Sequence, residues 1–212
     1  MKKEKTKKKL KPKAGAADKK TLIFFEYEVS YEPVKNERYE IPPEIDARMQ
    51  ELYDMVHKTP KKAIPVLEEL KVKYPNVPQI YNFLSVAHSI AGDMEKATEA
   101  IRENYRKNPD YLFAKINYAE ICLNEGKFDE IPVIFDNKFE LKMLYPDRKV
   151  FHVTEVCGFC GIMGLCCAEI GKQETAETYY KLLKKIAPDH NFTKRLRLKL
   201  LVKSFKKNLN LP

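Results

Sequence analysis

Two stretches of this chain, 79 residues apart, carry the same series of punctuating residues. The first runs Tyr81, Leu84, Ser85, His88, Gly92, Ala97, Ile101, Pro109; the second runs Cys160, Met163, Gly164, Cys167, Gly171, Ala176, Tyr180, Pro188, with every interval identical. Within 78–91, Ile80, Tyr81, Leu84, Ala87, His88 and Ala91 recur at three- and four-residue steps, which is one face of a helix. Gly92-Asp93 then supplies a stop, because glycine takes the left-handed conformation without steric cost. A second helix presents Met94, Ala97, Ile101 and Tyr105 on one side, and Pro109 ends it by excluding helical geometry from the residue before it. One such hairpin cannot bury its apolar face alone, so the pattern demands stacked neighbours.

Degenerate copies surround these two. Gly126 follows Gly92 by 34 residues, with Tyr118, Ala119, Cys122, Ile131 and Phe135 in matching places. Gly171 comes 45 residues later still. The surplus residues are assigned to a longer second helix and connection across 136–156. Upstream, Ala63 and Pro75 precede Ala97 and Pro109 by 34 residues, and Thr59-Pro60 reads as a helix start. Pro65 and Pro132 fall inside second helices, where kinks are expected.

The pattern resembles the tetratricopeptide repeat (TPR), aromatic-x2-Leu-Gly-x2-Tyr, Ala-x3-Phe, Pro over about 34 residues. The likeness covers roughly 46–190, without the family's tryptophan and most of its tyrosines. It implies an all-α fold: a TPR-like α-solenoid of about four helical hairpins with a C-terminal capping helix. The expected organisation is a disordered Lys-rich tail over 1–20, an extended segment over 21–41, the repeat domain over 42–190 and a basic amphipathic cap over 191–212.

Charge divides the chain the same way. Residues 1–20 carry ten lysines against Glu4 and Asp18, and 191–212 carry seven cations and no acid, so the net +9 leaves −6 for the middle. The tail is too polar to offset its ordering entropy. In 21–41, Phe25, Tyr27, Val29 and Tyr31 alternate with Glu26, Glu28 and Ser30 as in a half-buried strand. This strand has no evident sheet to join; it is expected to lie along the solenoid, in its groove, or against another chain. Over 193–209, Leu198, Leu201, Val202, Phe205 and Leu209 form the apolar face of the cap. The early apolar run Leu22-Ile23-Phe24-Phe25 is too short for a secretory leader. No run approaches the length of a membrane span. With five cysteines, an odd number, a disulfide framework is not expected either. A cytoplasmic protein is the expectation.

Cys157, Cys160, Cys166 and Cys167 crowd one helix. Four thiols at that density invite a metal or redox reading, but zinc sites draw paired ligands from separate turns. Packing as small buried hydrophobes is favoured, with Cys166 off the stripe. Gly158, Gly161 and Gly164 each cost about 1 kcal/mol of helix propensity, which implies close contact with the preceding repeat or with a partner. His88 takes the place of a core tyrosine. No nucleophile–base pair, zinc-protease motif or phosphate loop is present, so neither catalysis nor a cofactor is expected.

In TPR proteins the first helices of successive repeats line a concave groove. The resemblance carries that role to Gln79, Asn82, Phe83 and Val86, then to Phe113, Ile116, Asn117 and Glu120, then to Gly158, Gly161, Ile162 and Leu165. It implies a non-enzymatic adaptor or scaffold that holds a peptide or helix of a partner protein, with Asn82 and Asn117 available to an extended backbone. The carboxylate-clamp pattern is absent: only Asn117 matches, and Gly158 and Ile162 stand where its last cations belong. Two other readings remain: an RNA- or ribosome-associated factor that contacts phosphates through its basic ends, and a TPR-type secretion chaperone.

Overall fold

The computed structural model describes residues 27–32, 34 and 39–208. The Lys-rich tail over 1–20 lies outside them. Among the described residues the chain is all-α in class, with ten helices and one short two-stranded sheet. The helices are α1 (Pro43–Lys58), α2 (Pro60–Lys73), α3 (Pro78–Ile90), α4 (Met94–Lys107), α5 (Leu112–Asn124), α6 (Glu130–Ile134), α7 (Leu141–Leu144), α8 (Val153–Glu169), α9 (Gln173–Ile186) and α10 (Asn191–Asn208). The strands are β1 (Glu28–Ser30) and β2 (Val150–His152). Helices pack on their sequence neighbours, α1 on α2, α3 on α2 and α4, α5 on α4, and α9 on α8 and α10, while α5 and α10 also pack on α8.

The repeated glycines act as the spacing requires. Gly92, Gly126 and Gly171 have φ of 87°, 74° and 81°. In each turn the amide three residues past the helix end reaches back five positions: Asp93 to the His88 carbonyl (2.9 Å), Lys127 to Cys122 (2.8 Å), Lys172 to Cys167 (2.8 Å). These are three copies of one Schellman closure, which satisfies carbonyls that the helix end would otherwise orphan. Asp93 then caps α4 by accepting from the Lys96 amide. The first hairpin turns at Thr59-Pro60 instead, with Pro60 opening α2. Helix α2 runs unbroken through Pro65; Lys61, whose carbonyl the proline frees, is on the exposed face.

The third hairpin departs from expectation. Its second helix is shortened rather than lengthened: α6 has five residues and is followed by a left-handed pair, Asp136 and Asn137, both at φ 55°. The buried Lys115 ammonium donates to the Ile134 carbonyl at 2.7 Å and lies 3.6 Å from Asp136, closing α6 at its C-terminus. The surplus residues then form α7 and β2. Strand β2 is the partner that β1 lacked in the sequence, paired in parallel with Glu28 opposite Val150 and Ser30 opposite His152. Tyr27 meets Phe151 edge-on at 4.9 Å, and the Tyr31 hydroxyl donates to the Ile186 carbonyl at 2.7 Å. The N-terminal strand thereby clasps the C-terminal third of the chain.

Helix α8 is the centre of the larger core. Every residue from Glu155 to Ala168 is buried. Its start is held by Glu155, which receives both guanidinium nitrogens of Arg148 (2.9 and 2.7 Å) and the His152 amide (2.9 Å). The Arg148 guanidinium also lies 4.1 Å above the Phe151 ring. Its glycine face admits neighbours from both sides. A Cβ at Gly158 would lie 2.8 Å from Ile116 Cδ1, one at Gly161 2.5 Å from Phe192 Cβ, and one at Gly164 2.5 Å from Leu196 Cδ2.

That fit corrects the expected face of the terminal helix. Helix α10 buries Thr193, Leu196 and Leu200 and leaves Leu198, Leu201 and Val202 exposed. Its register is set by Phe192 and Leu196 entering the glycine face, and by Lys203 donating to the last carbonyls of α8, Ala168 and Glu169. No described helix is long and apolar enough to cross a membrane.

Glu155→Gln, which leaves Arg148 without its charge, should lower unfolding free energy by about 3 kcal/mol in chemical denaturation. Gly161→Ala should destabilise by about 1–3 kcal/mol despite alanine's better helix propensity, because Phe192 meets the new methyl with its Cβ. Gly158→Ala should cost less, since only the flexible end of Ile116 must yield, and thermal melts of the two variants check the order.

Candidate functional site

Side chains link α5 to α3 on one side and to α10 on the other. Asn117 Nδ2 of α5 donates to Asn82 Oδ1 of α3 at 3.3 Å. Glu120, one turn further along α5, pairs with Arg195 of α10. The spacing-derived set is therefore brought together, but its members differ in what they can still do.

The Asn82 Oδ1 also accepts from Asn104 Nδ2 at 3.0 Å. Asn104, buried in α4, also donates to the Pro78 carbonyl (3.1 Å) and accepts from Asn108 Nδ2 (3.0 Å). Buried amides cost free energy unless paired, and this ladder of Asn108, Asn104, Asn82 and Asn117 pairs them across three helices. Asn82 spends its carbonyl oxygen, but not its amide hydrogens, in that ladder. Asn117 spends one amide hydrogen there, and its carbonyl oxygen makes no bond among the described residues. The phenol of Tyr111 is raised well above its usual pKa, first by burial and then by Glu155 and Tyr39. It therefore remains a neutral hydroxyl.

The other positions fall into open and closed groups. Val86 is exposed, and Gln79, Phe83 and Phe113 are half-buried. Phe113 sits 5.8 Å from the Tyr111 ring, which meets Tyr39 edge-on at 5.3 Å, so the N-terminal segment passes at the start of α5. The Gln79 Oε1 is buried without a hydrogen bond. Ile116 is 3% exposed, covered where it packs on Gly158, and is a core residue rather than a groove residue. Glu120 is held by Arg195, and Gly158, Gly161, Ile162 and Leu165 are buried in α8. Helix α10 covers α8 at Gly161 and Gly164 through Phe192 and Leu196.

The thiols show no sign of activation. All five cysteines are free and buried. Burial pushes Cys157, Cys166 and Cys122 up to about 11, and raises Cys160 and Cys167 as well. Cys166, expected off the packed stripe, is buried too and donates weakly to the Phe128 carbonyl at 3.5 Å. A thiol at such a pKa is protonated at neutral pH and a poor nucleophile or ligand. Among the described residues no group of three or more His, Cys, Asp or Glu side chains is arranged to hold a metal ion. His88 is a buried imidazole whose Nδ1 has no hydrogen-bond partner.

The amide ladder, the Arg195–Glu120 link and the Arg148–Glu155 pair escaped the sequence reading. A partial signal existed for the first, since Asn82 and Asn117 are one repeat plus one residue apart and Asn104 and Asn108 are one turn apart. His152-x2-Glu155 has capping-box spacing, hidden because histidine is an uncommon N-cap. No protein-family model matches this chain, and no curated protein is detectably similar to it in sequence.

Thiol titration with an aromatic disulfide at pH 7.5 should detect none of the five cysteines within minutes in the native state, and all five in guanidinium. Rapid native labelling of Cys157 or Cys160 would show that α8 opens.

Proposed function

We propose that this protein is a non-enzymatic adaptor, a TPR-like α-solenoid of four hairpins and a capping helix, which holds an apolar segment of a partner protein on the face of α3 and α5. The observation that carries this reading is the Asn117–Asn82 hydrogen bond that joins α5 to α3, on helices where Val86 is exposed and Phe83 and Phe113 are half-buried. Three identical left-handed turns between paired helices support the repeat architecture. The closure by α10 shortens the docking surface to the α3–α5 stretch. Such a surface suits a short apolar peptide or one helix laid in a groove, and the clamp type that grips a terminal carboxylate lacks its cations here.

For the α10 half of the phosphate-binding alternative, the ion pairs take up four of the helix's seven cations, while the ten-lysine tail lies outside the described residues. Arg195 pairs with Glu120, Lys199 and Lys203 with Glu169, and Lys194 with Asp189 at 3.8 Å. Cations so paired release few counterions to nucleic acid.

Affinity capture from host lysate, with and without nuclease, tests the reading. A bound protein should persist after nuclease, and Val86→Asp, which alters only an exposed side chain, should reduce its recovery about tenfold. Phe113→Glu should do the same if its melting temperature is retained. Recovery that vanishes with nuclease and ignores Val86→Asp would replace the adaptor by the nucleic-acid reading.

A further inference from the structure

Helix α10 turns one side to the core and the opposite side to solvent. Thr193, Leu196 and Leu200 face inward and are buried. On the other side Leu198, Leu201 and Val202 are 64%, 46% and 45% exposed. Steps of three and four residues make neighbours on a helix surface, so these three aliphatic side chains form one stripe. Lys194 and Arg197, both exposed, precede Leu198 and Leu201 by four residues and border it.

The border stays cationic once the acids of the surrounding elements are counted. Helix α10 itself has none, and between 169 and 208 the chain has eleven cations against Glu169, Glu174, Glu177 and Asp189. Glu169 of α8 takes Lys199 and Lys203, and Glu120 of α5 takes Arg195. In α9, Glu174 and Glu177 belong to the first half, while Lys181, Lys184 and Lys185 fill the half that leads into α10. Lys194 lies 3.8 Å from Asp189, whose side chain is 96% exposed, a loose pair that water and salt weaken. Arg197 makes no ion pair among the described residues.

We propose that this side of α10 lies on an anionic phospholipid surface, with Leu198, Leu201 and Val202 entering between the headgroups and Lys194 and Arg197 against their phosphates. An apolar stripe with a cationic border is what an interfacial helix needs. The helix would lie on the bilayer and not cross it, since no described helix can span one. From Lys194 to Val202 the stripe runs about 12 Å along the axis. A bilayer accepts that convex side directly, whereas a protein partner must supply a matching groove. A second copy is disfavoured, because a symmetric contact sets the same cations face to face. Nucleic acid would meet Lys194 and Arg197 with phosphates and leave the aliphatic stripe uncovered. Three inserted side chains are a small anchor, so binding is reversible and weakens with salt. This inference does not rest on the adaptor reading.

The chain has no tryptophan, so Leu198→Trp places a single reporter on the stripe of the full chain. With vesicles of phosphatidylcholine and phosphatidylserine its emission should shift to the blue and be quenched by lipids brominated in the acyl chain. With phosphatidylcholine alone it should stay as in water. In co-sedimentation with the anionic vesicles, the L198S/L201S variant should bind about tenfold more weakly than the unsubstituted chain. Both variants alter only exposed side chains and should keep the melting temperature. The ten-lysine tail can hold anionic vesicles by charge alone, and the two readouts separate that case. Co-sedimentation with a water-exposed tryptophan, undiminished in L198S/L201S, overturns the proposal. So does the absence of vesicle binding at low salt; a protein that the unsubstituted chain then captures and L198S/L201S loses would assign the stripe to a partner. A blue shift that needs no vesicles and grows with protein concentration, with a dimer in sedimentation, would assign it to a second copy.

Discussion

The close approach of α5 and α10 to α8 is the contact on which the rest of the arrangement depends. Three glycines on one helix cost propensity in isolation, yet here they remove the side chains that would hold neighbouring helices apart. Ile116 fills the space at Gly158, Phe192 that at Gly161 and Leu196 that at Gly164. With α10 drawn in this far, Arg195 reaches Glu120 on α5 and Lys203 reaches the carbonyls at the end of α8. The same approach buries the four thiols of α8 and removes them from chemistry. A dense cysteine sequence thus becomes a packing device, because small polarizable side chains and glycines together let one helix be surrounded.

The N-terminal strand meets the C-terminal third of the chain on this core. The β1 strand pairs with β2 across more than a hundred intervening residues, and Tyr31 bonds the last turn of α9. Arg148, Glu155 and His152 hold β2 to the start of α8, so the clasp and the central helix share one polar junction. The irregular third hairpin makes this possible. By ending α6 early at a left-handed pair, the chain frees enough residues to build α7 and the short strand.

Polar side chains decide which faces stay open. The amide ladder ties α3, α4 and α5 together through the Asn82 carbonyl oxygen, leaving the Asn117 carbonyl as a further acceptor. Four cations of α10, Lys194, Arg195, Lys199 and Lys203, pair with acids on α5, α8 and the α9–α10 turn. The candidate residues on α3 and α5 are therefore apolar side chains with two amides, Asn82 and Asn117.

The sequence by itself determined the local punctuation and the helical class. Gly92, Gly126 and Gly171 each needed a left-handed backbone, Thr59-Pro60 a helix start, and the 3.6-residue periodicity a buried stripe; these are short-range requirements that a single strand of text displays. The alternation through Tyr27–Tyr31 likewise announced a strand. Which groups meet across distance was decided only by tertiary structure. Ile116 and Phe113 are three residues apart on one helix, yet one is sealed under a glycine and the other is half open, because Gly158 lies 42 residues away in sequence. The exposed stripe of α10 was misjudged for the same reason: Leu198 and Leu201 make as good an apolar face as Leu196 and Leu200. The choice between them was made by where Phe192 and Lys203 find their partners on α8.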